Sequence, residues 1–195
     1  MAIVSVYEVM QYLRVEATSE ESDIDGMVAT VEDLLESVCG RKWVVASGTS
    51  TRLYSPRSPN QDMIRIHDAV SVTSVTNDGE ALSVATSSVS GYQLEPVNSM
   101  DWTGETRPYE GIRYINNRWK FDGYRATVAV TASWGWAAIP DQIHRAALVL
   151  CKDAWTYRNA PDAAAGLDGF LRSKAMELCK RYRREEAKAG IGGPI

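Results

Sequence analysis

The chain has 195 residues, 45% of them hydrophobic and 24% charged, enough for one domain with a sizeable core or for a helical body carrying an inserted β region. A formal net charge of -4 argues against a general nucleic-acid binder, because affinity for phosphate comes chiefly from clustered lysine and arginine. Cys39, Cys151 and Cys179 stand far apart, form no CxxC pair and read as buried, reduced thiols rather than a metal site. No stretch approaches the ~18 apolar residues of a bilayer span, and the start lacks the pattern of a signal peptide. The expectation is a protein of the reducing cytoplasm with no membrane contact.

In chain order, Val6, Val9, Met10 and Leu13 recur at helical spacing and predict a short amphipathic helix over 5–13. A second, longer helix follows, with Ile24, Met27, Val28, Val31, Leu34, Leu35 and Val38 on one face. Thr18 with Glu21, or Ser22 with Asp25, supplies a capping-box start, and Gly40 a stop. Glu20, Glu21, Asp23 and Asp25 crowd its first turn, where the helix dipole favours negative charge; their spacing does not match an EF-hand loop.

From Trp43 to Ala132 the pattern changes to short runs of Val, Ile, Thr and Tyr broken by turn residues, which predicts strands. Met63 to Ile66 and Val70 to Val75 read as two of them. The second runs into Asn77-Asp78-Gly79, a step suited to the positive φ angles of a tight hairpin. Further strands are expected at 52–54, 92–95, 112–115 and 126–132, with a loop over 96–109.

Pro140 suits the first position of a third helix, with Asp141 in its first turn. The run Ile143, Ala146, Ala147, Leu148, Val149, Leu150, Cys151, Ala154 and Trp155 reads as apolar nearly all round, so it is either a central core helix or packed on another subunit. A last helix is expected over 167–184, with Leu167, Phe170, Leu171, Leu178 and Tyr182 on one side, and a flexible tail over 189–195. This gives an α+β protein: N-terminal helices over 1–42, an antiparallel β region over 43–138, C-terminal helices over 139–188, and the tail.

Catalytic markers are scarce. There is no GxSxG elbow, Walker loop, GxGxxG or HExxH, and His67 and His144 have no sequence-local partner at ligand spacing. No catalytic residue, cofactor or metal is assigned. A hydrolase assembled in space around either histidine and a carbohydrate-binding β module using Trp102 or Trp119 are the competing readings. The C-terminal stretch is the sharpest charge feature, with Arg172, Lys174, Lys180, Arg181, Arg183, Arg184 and Lys188 against Glu177, Glu185 and Glu186. It reads as a solvated helix face or as a surface docking on an acidic partner.

The order of parts then carries a resemblance. Tyr7-Glu8-Val9-Met10-Gln11-Tyr12-Leu13-Arg14-Val15 is followed by Ser37-Val38-Cys39-Gly40-Arg41. After the β region come Val128-Ala129-Val130-Thr131-Ala132-Ser133-Trp134-Gly135-Trp136 and Ala137-Ala138-Ile139-Pro140-Asp141-Gln142-Ile143. The whole resembles the head-to-tail adaptor (connector) proteins of long-tailed bacteriophages. That resemblance implies a structural virion protein, not an enzyme, forming a closed ring of usually twelve copies beneath the portal of a DNA-filled capsid. It would be assembled in the host cytoplasm and located at the neck. Genomic DNA would pass through the lumen without sequence-specific binding. A downstream neck or tail-completion protein would follow, and the chain itself being such a protein is the nearest alternative. By the same resemblance, Ile143, Leu148, Leu150 and Trp155 are candidates for subunit packing. Lys180, Arg181, Arg183, Arg184 and Lys188 are candidates for docking on the portal.

Overall fold

The computed structural model describes residues 3–16, 18–87, 89–100, 104–123, 125–159, 173 and 175–184. The fold is α+β, and the chain divides into two compact units, Met1–Val44 with Ile139–Ile195, and Val45–Ala138.

The helical unit begins with α1 (Val6–Leu13), whose start is fixed by a capping box. The Glu8 amide donates to the Ser5 hydroxyl at 3.2 Å, and the Ser5 amide donates to the Glu8 carboxylate at 2.7 Å. The next helix, α2 (Glu21–Cys39), is preceded by a 3-10 turn, Thr18–Glu20. The capping boxes expected at Thr18/Glu21 or Ser22/Asp25 are not used: Glu20 stands at the N-cap with helical backbone angles and no side-chain capping bond. A chain arriving from a 3-10 turn is already helical, so it does not need the extended N-cap that a serine or threonine supplies. Gly40 ends α2 in the left-handed conformation at φ 63°, its amide donating to the Glu36 carbonyl at 2.8 Å.

Helix α3 (Asp141–Asn159) packs on both α1 and α2. The Pro140 carbonyl accepts from the amides of Ile143 (2.9 Å) and His144 (3.0 Å), so the proline lies just ahead of the helix. The expectation of an all-round apolar helix is corrected. Ile143, Ala146, Ala147, Leu150 and Cys151 are buried, at spacings of three and four, while Arg145, Lys152, Tyr157 and Arg158 are exposed. The partner stripe on α2 is Ile24, Val28, Val31, Leu35 and Cys39. The acidic start of α2 has a specific partner as well as the dipole: Arg158 reaches Glu20 at 3.2 Å and Asp23 at 2.5 Å.

The Glu8 carboxyl is held below the usual glutamate range, first by the Ser5 backbone amide, then by the Ser5 hydroxyl, with a smaller contribution from His144. A depressed folded-state value stabilises the fold above the unfolded pKa, and that contribution is lost as pH falls through the folded one. Ser5→Ala is expected to cost about 1 kcal/mol at neutral pH, a fall of about 2–4 °C in melting temperature. The difference from wild type should shrink below about pH 4.3, as thermal denaturation across pH would show.

The β unit holds a six-stranded sheet in the order β1-β6-β2-β5-β4, with β3 paired to the end of β2 and every strand pair antiparallel. The strands are β1 (Ser50–Tyr54), β2 (Met63–Asn77), β3 (Glu80–Leu82), β4 (Gly91–Glu95), β5 (Tyr109–Ile115) and β6 (Val128–Trp134). The two runs expected at 63–66 and 70–75 are one long strand. Its first half pairs with β5 and its second with β6, and the register shifts where the polar His67-Asp68 step interrupts the apolar pattern. A bulge absorbs a residue that breaks the alternation without ending the strand. Asp78 (φ 53°) and Gly79 (φ 85°) make the tight β2–β3 hairpin that their sequence suggests. One face of the sheet closes over Ile64, Ile66, Val75, Ile112, Trp119 and Val130.

Candidate assembly surfaces

In the helical unit the last described segment is built onto the end of α2. Residues 175–179 are helical and run into a 3-10 turn, Lys180–Tyr182. Ala175, Cys179 and Tyr182 are buried, at spacings of four and three. The Tyr182 ring meets Trp43 edge-to-face at 6.0 Å, and the Arg184 amide donates to the Cys39 carbonyl at 3.0 Å. This anchoring sorts the basic docking candidates. Lys180 is exposed, whereas Arg181, Arg183 and Arg184 are half-buried. Lys188, the tail over 189–195 and the part of the last helix carrying Leu167, Phe170 and Leu171 lie outside the described residues.

The packing candidates on α3 separate in the same way. Ile143 and Leu150 are buried within the helical unit, while Leu148 and Trp155 are half-buried. Leu148 and Trp155 are seven residues apart and therefore share a stripe on the flank of the buried face. His144 and Lys152 border that stripe and meet α1: His144 Nε2 lies 3.4 Å from the Glu8 carboxylate, and the Lys152 ammonium 6.0 Å from the centre of the Tyr12 ring. Trp155 carries the Arg158 guanidinium at 5.5 Å over its ring.

The three cysteines are free and buried. Burial, with a smaller contribution from Glu32, pushes the Cys151 thiol up to about 12. Its contact with Cys179, followed by burial, pushes the Cys39 thiol up as well. The same contact holds the Cys179 thiol lower, so for that residue it is burial that denies a reagent access. Since the thiolate is the reactive form and all three are buried, none is expected to react with a thiol reagent at about pH 8 in the native protein. All three should react after unfolding in urea, as counting labelled thiols by mass spectrometry would check.

The competing readings fare differently. Trp119 is 1% exposed, so it is not a platform for a sugar ring: its indole N–H donates to the Asp62 carbonyl at 2.7 Å and its ring packs on Tyr114 at 5.0 Å. Trp102 lies outside the described residues. His67 Nδ1 is 2.9 Å from the Tyr54 hydroxyl, and His144 faces Glu8. Among the described residues, no group of three or more His, Cys, Asp or Glu could hold a metal ion. The aromatic cluster that does reach the surface is one the sequence reading missed. Tyr54, His67 and Trp134 lie with ring centroids 5.9–6.3 Å apart, and Arg52 lies over Trp134. Alternation along β1 and β6 could have placed Arg52, Tyr54 and Trp134 on one face once the pairing register was known.

Neither a family model nor a curated relative matches the sequence. Among solved structures, the chain is similar to one described as the neck of an empty GTA particle computed with C6 symmetry. The TM-score is 0.54 at 18% identity, over 93% of this chain and 89% of that one. A second match, the neck of a native GTA particle computed with C12 symmetry, has a TM-score of 0.47 at 16% identity, over 94% of this chain and 93% of the other. The first match extends through both units, and it shows a shared fold.

Proposed function

We propose that this chain is a structural subunit of a phage-like neck, a head-to-tail adaptor that forms a ring, of twelve copies, between the portal of a DNA-filled capsid and the next neck or tail-completion protein. The observation that carries the reading is the fold it shares, over nearly its whole length, with a chain from a particle neck. The order of sequence segments that resembles phage adaptors supports it independently. In this role Lys180, with Arg181, Arg183, Arg184 and Lys188, faces acidic groups on the portal. Leu148 and Trp155 give the half-buried flank of α3 to a neighbouring copy. Ile143 and Leu150 support that flank from inside the helical unit. A net negative charge suits a lumen through which DNA slides without being held.

Native mass spectrometry and negative-stain microscopy of the chain mixed with its cognate portal protein test the proposal. Rings on the portal are the expected result, and a monomer indifferent to the portal would overturn it. The double variant Leu148→Ala/Trp155→Ala is expected to weaken ring assembly at least tenfold, the scale of a lost aromatic hot spot, with its far-UV circular dichroism unchanged.

A further inference from the structure

Strand β1 closes one side of the sheet. It pairs with β6 from Ser50↔Ala132 to Tyr54↔Val128 without a register shift, and among the described residues no strand lies along its other side. The opposite rim is covered: the Tyr92 amide of β4 donates to the Ser83 carbonyl at 3.0 Å, and the Ala85 amide to the Tyr92 carbonyl at 2.8 Å. That cover sits so close that a Cβ at Gly91 would lie 2.2 Å from the Ser83 oxygen. One rim is therefore closed and the other open.

Open edges template the addition of another strand, and proteins usually blunt them with lysine, proline or a bulge. The sequence of β1, Ser-Thr-Arg-Leu-Tyr, carries no lysine or proline, and its pairing has no bulge. Its single charge, Arg52, lies 4.6 Å over the Trp134 ring, whose indole N–H is in turn tied to the Ser50 carbonyl at 2.9 Å. On the opposite face of the strand, Leu53 is 66% exposed. Past the Ser50 carbonyl, which the indole takes, the backbone groups of Thr51–Leu53 that point away from β6 face no strand, and they lie between a prearranged Arg–Trp shelf and an exposed leucine. Arginine and tryptophan are enriched among residues that dominate binding energy. From Trp43 to Gln61 the chain contains Arg52 and Arg57 and no acidic residue, and β6 is uncharged.

We infer that β1 is a docking edge for an acidic, extended segment of another protein chain, which adds as a further strand beside it. The backbone groups of Thr51–Leu53 that point away from β6 supply the pairing, and carboxylates of the segment meet Arg52 and Arg57. The basis is the sheet and its charges, so the inference stands whether or not the chain forms a ring.

The probe is a nine-residue peptide alternating valine or threonine with glutamate, compared with its lysine counterpart and with an N-methylated glutamate peptide. Binding is read by fluorescence anisotropy and by hydrogen exchange of those β1 amides that point away from β6. Only the unmethylated glutamate peptide is expected to bind and to protect those amides. Arg52→Glu should weaken it at least tenfold, and Leu53→Lys, an exposed change that leaves the core intact, should weaken it too. Equal binding of both charge types, no binding by any peptide, or full binding to Arg52→Glu would overturn the proposal. A concentration-dependent dimer of the chain alone, abolished by Leu53→Lys, would assign the edge to a second copy and overturn it as well.

Discussion

Changing Tyr182 to alanine is expected to cost about 3 kcal/mol of stability and to release the C-terminal segment from the end of α2. The ring is 1% exposed and edge-on to Trp43, so its removal opens a cavity against a second large aromatic that cannot follow it inward. The backbone bond from Arg184 to the Cys39 carbonyl is two residues away and depends on the same anchoring. Urea unfolding should show a lower midpoint, and trypsin should cut after Lys180 and Arg181 in the native variant well before it cuts wild type. Tyr182→Phe keeps the edge-to-face geometry and should retain most of the stability. For the proposed portal contact the consequence is sharper than for loss of any one charge. Lys180→Ala removes a single exposed cation, whereas Tyr182→Ala leaves every cation in place and lets their positions scatter. If Tyr182→Ala bound the portal as wild type does, the positions of those side chains would be irrelevant to docking.

Legibility in the sequence followed locality. The Asp78-Gly79 hairpin and the Gly40 stop were readable because each depends on positive φ at a residue that tolerates it, a property written into one or two positions. The strands expected at 52–54, 92–95, 112–115 and 126–132 exist as β1, β4, β5 and β6 with ends shifted by up to three residues, because β-branched and aromatic residues concentrate on pleated, half-buried surfaces while strand ends are set by pairing. What failed needed a partner. The polar His67-Asp68 step ends a strand in one dimension, but in the sheet it falls at the handover of β2 from β5 to β6, where a register shift accommodates it.

Helix α3 misled for a related reason. Ala146 and Ala147 count for little in hydropathy, yet with Ile143 and Leu150 they form the face that is buried. Leu148, Val149 and Trp155 weigh more and sit on its flanks. Of the two candidate surfaces, the basic one stands out in the sequence only as charge and the α3 flank only as part of an apolar run, since a docking surface has no spacing rule comparable to that of a metal site. Of the five basic candidates, burial singles out Lys180 as the exposed one among those described.

Trp119→Ala is expected to be the most damaging single change in the β unit, costing about 3–5 kcal/mol. The indole N–H and the Tyr114 amide both donate to the Asp62 carbonyl, each at 2.7 Å, and the Trp119 amide donates to the Gln61 carbonyl at 3.1 Å. One side chain thereby pins the segment entering β2 against β5, and alanine loses the packed ring together with one of the two donors to that carbonyl. Trp119→Phe separates the two effects: it keeps most of the apolar volume and gives up only the hydrogen bond, so a loss of about 1–2 kcal/mol is expected. Hydrogen exchange of the β2 and β5 amides should rise strongly in the alanine variant and modestly in the phenylalanine one. Because the ring faces the core, Trp119→Phe should leave any glycan-array profile unchanged. A glycan bound by wild type and lost in the well-folded phenylalanine variant would require this indole to reach the surface, which its present packing forbids.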